Sequence, residues 1–328
     1  MKRMEDILGM TQDQLKTYLS NYLCGTGYKI NVADGYVFAK GDVNVLLIAH
    51  MDTARKEIPS VVLKLPTENG IKICAENSLV GGDDRCGVWM IMNIIKNVKC
   101  HVLFLEDEEI GCVGARKFAD SEYAKYVKEN IVFMIELDRR GSNDCVFYSN
   151  DNRDFIKYIE EKTGTKESIG SMSDISIIMP ETGVAGVNLS CGYYREHTKD
   201  EYIMVDEMND MMWRVQEFLE SETEFPRYEY VERKRTYTSY NAYKQWSFDD
   251  YDFRTKYVYD KRPTLAEKAR NTLKELHLEV FLDEGYATEY GIDLEYEVTG
   301  SSPAECWANL FLKYEDLCFN MIDDYYFS

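Results

Sequence analysis

Four places in the sequence put metal-ligating side chains at the end of an apolar run. LLIAHMD closes on His50-x-Asp52, and LVGGDDR sets Asp83 and Asp84 in a glycine-rich loop. VLFLEDEEIG supplies Glu108 and Glu109, and VFMIELDRRG supplies Asp138. A fifth piece, YYREHTKDE, follows the strand-like VNLSCG and holds His197. Taken singly, each has an ordinary explanation. A histidine after a strand is usually packed, aspartates after Gly-Gly form turns, an EDEE run is solvated, and Asp138 before two arginines is a surface ion pair of little worth. Taken jointly, two of only four histidines and three separated carboxylate groups recur in one setting. Five imidazole and carboxylate ligands suit a pair of divalent ions sharing one carboxylate. Zn²⁺ is favoured, with Mn²⁺ or Co²⁺ as alternatives and Mg²⁺ disfavoured. Two ions about 3.5–4 Å apart clamp a hydroxide and polarise a carbonyl or phosphoryl oxygen. A further carboxylate, near the metals but not on them, can take the proton from the attacking water. His101 opens a strand and His277 lies in the tail, so both read as structural.

The elements that must position these groups are legible from periodicity. Thr11 can cap TQDQLKTYLSNYL, whose Leu15, Tyr18, Leu19, Tyr22 and Leu23 recur at helical spacing. YKINV, YVFAK (after an Asp34-Gly35 turn) and NVLLIAH read as strands, and VVLKL and IKICA flank an Asn69-Gly70 hairpin turn. RCGVWMIMNIIKNV is helical in length and apolar nearly all round, which predicts burial. HVLFLEDE and NIVFMIELD are continuous in Val, Ile, Leu and Phe, as interior strands are. RDFIKYIEEKTG is an amphipathic helix, VAGVNLSCG a strand, and VDEMNDMMWRVQEFLESE a long closing helix. This alternation predicts an α/β fold, a three-layer sandwich around a central, mostly parallel mixed sheet, in which sites form beyond the carboxyl ends of the strands. The candidate ligands stand at those ends. Three regions follow: 1–225 as the catalytic domain, 226–263 as a Tyr-rich charged linker, arm or strand pair, and 264–328 as a small C-terminal helical or α+β module. In the last region, helices are expected over 264–281 and from Ser302, where Pro303 and Glu305 complete a capping box.

Composition narrows the partners. Acids outnumber bases 58 to 38, for a formal charge of −20, which argues against nucleic acid and anionic membranes as partners and suits a protein that collects divalent cations. The nine scattered cysteines show no CxxC spacing and read as buried thiols of a reducing compartment. No signal-peptide core or membrane-length apolar run is present, which points to a cytoplasmic protein.

The motifs AHMD, GGDDR, DEEIGCVGA and REHTKDE, with Asp138 at a strand end between the last two, stand in an order that resembles the co-catalytic dizinc exopeptidases. These are the zinc aminopeptidases, tripeptidases and amino-acid deacylases. The resemblance covers roughly residues 10–222. It implies a zinc-peptidase-like fold and two divalent ions, most simply Zn²⁺. It also implies roles: His50 and Asp138 on one ion, Asp83 bridging both, Glu109 and His197 on the other. Asp52 would orient His50, Glu108 would be the general base and acid, and Asp84 would shape its loop, through a strained peptide bond in many relatives. Glu136, on the same strand face as Asp138, is the competing ligand. Arg85, Ser173, Asp174 and Glu201 fall in segments that resemble the site's periphery, without an assigned chemistry. Glu106 and Asp107 remain as supporting or solvated acids. The segment GSSPAECWANLFLKY resembles small modules that end some phage-encoded proteins.

Many members of that family carry an inserted lid domain. The short gaps from Asp52 to Asp83 and from Asp138 to His197 leave no room for one. The usual grip on a substrate carboxylate goes with it, which favours an aminopeptidase-like exopeptidase acting on short peptides. An N-acyl amino-acid deacylase with the same site is the alternative. A two-metal phosphoesterase and an inactive binding or structural protein on the same fold are the rivals from other classes. The tail from 226 is left to cover the site or to mediate oligomerisation.

Overall fold

The helix expected after Thr11 forms as α2 (Gln12–Gly25), preceded by a short α1 (Met4–Leu8) that periodicity did not reveal. Thr11 accepts from the Gln14 amide while the Gln14 side chain returns to the Thr11 amide, so the cap closes in both directions. Leu15, Leu19 and Leu23 are fully buried, and the 3.6-residue period is the core face. The chain continues through strands β1 (Lys29–Ala33), β2 (Tyr36–Lys40) and β3 (Val43–His50). A hairpin, β4 (Val62–Thr67) and β5 (Gly70–Ala75), leads into helix α3 (Gly82–Ile94) and strand β6 (Cys100–Leu105). Helices α4 (Val113–Ala119) and α5 (Glu122–Asn130) precede β7 (Phe133–Arg139) and β8 (Asp144–Val146). Then come α6 (Arg153–Thr163), β9 (Lys166–Ser168), α7 (Asp174–Thr182) and β10 (Gly186–Ser190). The short pair β11 (Tyr193–Tyr194) and β12 (Tyr202–Met204) hands over to the long α8 (Val205–Ser221). In this computed structural model residues 2–55, 58–68 and 70–233 are described, with the backbone of three further strands near the C-terminus.

Eight strands form one mixed sheet in the order β1-β2-β6-β3-β7-β10-β8-β9. Its centre, β6-β3-β7-β10, is parallel throughout. The antiparallel pairs β1-β2, β2-β6 and β10-β8 lie to either side of that centre. Side chains alternate between two cores. Val45, Leu47, Val102 and Phe104 face the layer of α1, α2, α3, α6 and α8, whereas Leu46, Ile48, Leu103 and Leu105 face α4, α5 and α7. Burial on both faces is why these strands read as unbroken aliphatic runs. Helix α3 lies so close on β7 that a Cβ at Gly87 would fall 1.7 Å from the Leu137 carbonyl, so only glycine fits there. A second, antiparallel sheet, β11-β12-β5-β4, packs Tyr193, Ile203 and Ile73 inward. Its hairpin is pinned by the Ile71 amide donating to Asp206 at 2.7 Å. The expected α/β three-layer sandwich with a mixed central sheet is therefore the fold.

The start of the Tyr-rich segment is an extended arm laid on this domain. The Tyr228 amide donates to Val132 O, Tyr230 to Gly183 O and Arg233 to Ser149 O. The chain divides into two units, Met1–Asp250 and Tyr251–Ser328. In the second, β13 (Glu279–Asp283), β14 (Tyr286–Tyr290) and β15 (Glu295–Thr299) make an antiparallel sheet in that order. The helix expected over 264–281 lies outside the described residues except for its last three positions, which are strand. The helix from Ser302, the segment GSSPAECWANLFLKY, and His277 lie outside them too. The seven described cysteines are free thiols, five of them buried. Among the described residues no helix is long and apolar enough to cross a membrane.

Candidate metal centre

Because β6, β3, β7 and β10 are parallel neighbours, their carboxyl ends open on one edge of the sheet. His50 is the last residue of β3, Asp138 the penultimate residue of β7, and Glu108 and Glu109 stand in the turn between β6 and α4. Asp83 enters from the start of α3, and His197 from the loop between β11 and β12. These six side chains named from sequence thus converge. His50 Nε2 is 3.0 Å from Asp83 Oδ1 and 3.3 Å from Asp138 Oδ1. His197 Nε2 is 3.1 Å from Asp83 Oδ2 and 3.0 Å from Glu109 Oε2. Asp83 therefore offers one oxygen to each imidazole. Glu108 joins His50 and Glu109 in a cluster whose ligand atoms lie within 4.8 Å of one another.

Asp52 stands behind His50, its Oδ1 3.2 Å from His50 Nδ1. The same carboxylate accepts from the amides of Glu108 (3.0 Å) and Glu109 (3.1 Å), so it joins the imidazole to the two-glutamate turn. Asp84 is occupied by backbone: its oxygens accept from the amides of His50 and Gly87, and the Asp83–Asp84 peptide is cis. Glu136 accepts from Ser173 Oγ at 2.6 Å and the Ile175 amide at 3.1 Å, which ties it to the start of α7; Asp138 is the acid against His50. Glu106 is buried rather than solvated. It pairs with Lys16 at 2.6 Å and accepts the Gly35 amide at 2.8 Å, fastening the end of β6 to α2 and the β1–β2 turn. Asp107 bonds Gln12. His101 is a packed histidine stacked on Phe38, as expected.

The electrostatics are those of buried acids crowded around two imidazoles. Burial pushes the Glu108 carboxyl up to about 9, with Asp138, Asp174 and Asp83 adding to the effect against the pull of His50. Burial likewise holds Asp138 at about 6 and Asp174 at about 8. Hydrogen bonds to Asp83 and Glu109 carry His197 up to about 11. For His50, burial opposes the rise, and Asp138, Asp52 and Asp83 outweigh it. Crowded carboxylates out of water raise one another's pKa unless cations stand between them. One oxygen of Glu109 is buried with no hydrogen-bond partner. Two imidazoles, three converging acids and an orphaned carboxylate oxygen form a donor set that fits divalent cations.

Several supporting residues carried no signal in the sequence beyond proximity to a motif. Asp138 is held by Ser173 Oγ (3.0 Å on Oδ2), by the Tyr193 hydroxyl (2.7 Å to its carbonyl) and by Asn188, whose Oδ1 accepts the Asp138 amide at 2.9 Å. Arg85, buried beneath the loop, donates to the carbonyls of Met51 and Met10. These residues become neighbours only through strand order, and a linear pattern does not contain that.

A family model for peptidase family M28 matches residues 31–217, more than half of the chain. No curated protein matches. Among solved structures, a tripeptidase from Staphylococcus aureus aligns with a TM-score of 0.54 at 14% identity, covering 66% of this chain and 96% of its own. Aminopeptidase PepT from Bacillus cereus gives 0.53 at 14%, over 66% and 96%. An aminopeptidase from the archaeon Desulfurococcus kamchatkensis gives 0.50 at 14%, over 67% and 94%. At such identities these likenesses speak for the fold, and they agree with the sheet and helix layers described above. The order of its motifs and the extent of the family match lead to one conclusion: the chain belongs to peptidase family M28 and is a metallopeptidase.

Proposed function

We propose that the protein is an aminopeptidase-like exopeptidase on short peptides, with a dinuclear centre that takes Zn²⁺ in preference to Mn²⁺ or Co²⁺. The observation that carries this reading is the convergence of two imidazole Nε2 atoms on opposite oxygens of Asp83, at 3.0 and 3.1 Å. His50, Asp138 and Asp83 would hold one ion, and His197, Glu109 and Asp83 the other. When bound, such a pair supplies Lewis-acid polarisation of the scissile carbonyl and of a water. Glu108 lies beside this set with one carboxyl oxygen 3.6 Å from the Cys112 thiol. It accepts the proton of the attacking water and returns it to the leaving amine nitrogen. Asp52 keeps His50 Nδ1 hydrogen-bonded and Nε2 turned toward the ligand position.

The surroundings of the centre support this substrate class. Among the described residues the stretch from Asp52 to Asp83 holds only the β4–β5 hairpin, and that from Asp138 to His197 only elements of the two sheets and their helices. That leaves no inserted domain to grip a substrate carboxylate. The buried surplus of acids suits a free amino terminus, which is cationic. A peptide library compared with an N-acyl amino-acid panel, each with and without chelator, tests the reading. Chelator-sensitive release of amino-terminal residues is the expected result. Turnover confined to N-acyl amino acids would move the assignment to a deacylase, and chelator-insensitive activity would remove the metal from it.

A further inference from the structure

Glu201 belongs to no ligand cluster, yet it is fully buried and both of its oxygens are engaged. Its Oε2 accepts the Gly81 amide at 2.8 Å, and its Oε1 accepts the Asp83 amide at 3.1 Å. These amides flank Gly82, where a Cβ would meet Tyr193 Cβ at 2.8 Å, Ile203 at 2.9 Å and Glu201 Oε1 at 3.4 Å. The Gly81-Gly82-Asp83 loop is thus wrapped onto this carboxylate with no room for a side chain between. Glu201 also ends the loop that carries His197. There Arg195 and His197 both take positive φ (56° and 62°), Thr198 Oγ1 donates to Arg195 O, and the Glu201 amide donates to Thr198 O.

We infer that Glu201 is a positioning residue that clamps the His197 loop to the Asp83 loop, so that His197 reaches the second oxygen of Asp83. The inference rests on the dinuclear reading given above. The His197 side chain is 51% exposed. Apart from its contacts with Asp83 and Glu109 and the turn bonds just given, the His197 loop is held by the short β11–β12 pair at its base and by the Arg140–Glu196 pair at 2.9 Å, where Arg140 is half exposed. Exposed pairs of that kind hold little, whereas a buried carboxylate accepting two amides makes charge-assisted bonds. The identity of the side chain matters for the same reason. A glutamine offers one acceptor oxygen, and its NH₂ would face the second amide as donor against donor. An aspartate keeps the charge but is one methylene too short to reach both amides.

The test is metal uptake by the metal-free full-length protein, titrated with Zn²⁺ by calorimetry and with Co²⁺ by visible absorption. Wild type is expected to take up two ions. Glu201→Gln should keep the tighter step within threefold and weaken the other at least tenfold, and Glu201→Asp should fall between them. In a His197→Ala background, Glu201→Gln should change the remaining step by less than threefold, because the clamp acts through His197. Wild-type affinities for both steps in Glu201→Gln would overturn the inference and leave the dinuclear reading standing. So would equal weakening of both steps that persists without His197, the mark of a merely structural role. If wild type takes up no ion, the dinuclear reading itself falls, and the inference with it. Should Glu201→Gln fail to fold, Glu201→Asp carries the same comparison, expected to weaken one step selectively and overturning the inference if it weakens neither or both alike.

Discussion

His50 and His197 bring the same imidazole nitrogen to the same carboxylate from two kinds of backbone. His50 ends an interior strand, is 1% exposed, and is braced by Asp52 behind and by the amide bonds of a parallel sheet around it. His197 stands on a loop of positive φ above the two-residue β11–β12 pair, its side chain half exposed and in contact with Asp83 and Glu109. One half of the centre is built into the core and cannot move without the sheet. The other is assembled at the surface by the meeting of the 81–83 and 195–201 loops. On the dinuclear reading proposed above, the two halves should therefore differ in affinity and in their sensitivity to substitution.

Four experiments press on that difference. Glu108→Gln leaves the proposed ligands of both halves in place, so with Glu108 as the proposed base it should lower kcat by about 10³-fold, within the usual range for a lost general base, with metal content unchanged. Loss of bound metal in that variant would show that Glu108 is a ligand instead. His50→Ala should weaken metal binding by about 100-fold and destabilise the fold by about 3 kcal/mol, since it strands buried Asp83 and Asp138 against each other. His197→Ala should weaken one binding step alone, by at least tenfold and by no less than Glu201→Gln does, and cost less than about 1 kcal/mol of stability. Equal losses in these two variants, read by calorimetry and thermal melts, would erase the distinction between the halves.

Asp52→Asn keeps the shape but removes the charge behind His50, and a loss of about tenfold to a hundredfold in metal affinity or turnover is expected. The smallest effect concerns a third histidine. Burial, helped by the Lys40 ammonium, pushes His101 down to about 4, below the ordinary value of about 6.5. Between those two values the unfolded chain binds the proton and the folded one does not. Its contribution to stability is thus complete above about pH 6.5 and is lost as the pH falls toward 4. Denaturant melts of a His101→Gln variant should show a shallower loss, by roughly 1–2 kcal/mol, between pH 6.5 and 5. A slope identical to wild type would place the proton elsewhere.

Much of this was legible in the linear pattern, for identifiable reasons. Thr11 with Gln14, the aliphatic runs of β3, β6 and β7, and the 3.6-residue stripe of α6 are local signals, and each produced its element. Helices α1, α4, α5 and α7 escaped because each is nine residues or fewer, too short for periodicity to rise above chance. Glu106 shows the limit from the other side. It sits in the same acid run as Glu108, and only the approach of Lys16 from α2 and of the Gly35 amide separates a buried anchor from a solvated charge.

The sequence by itself determined the alternation of elements, the strand ends at which chemistry could occur, and the residue types able to bind a cation there. Those follow from side-chain period, capping and ligand chemistry, which act within a few residues. Only the tertiary structure decided which acids meet. The order β6-β3-β7-β10 brings Glu109, His50 and Asp138 to one edge. The fold of the 81–83 loop over Glu201 sets Asp83 between two histidines that are 147 positions apart in the chain. Asp138 and Glu136, two residues apart on one strand face, part company because α7 presents an amide to one and β3 an imidazole to the other. Contacts over such separations are set by sheet topology and close packing, which no local pattern encodes.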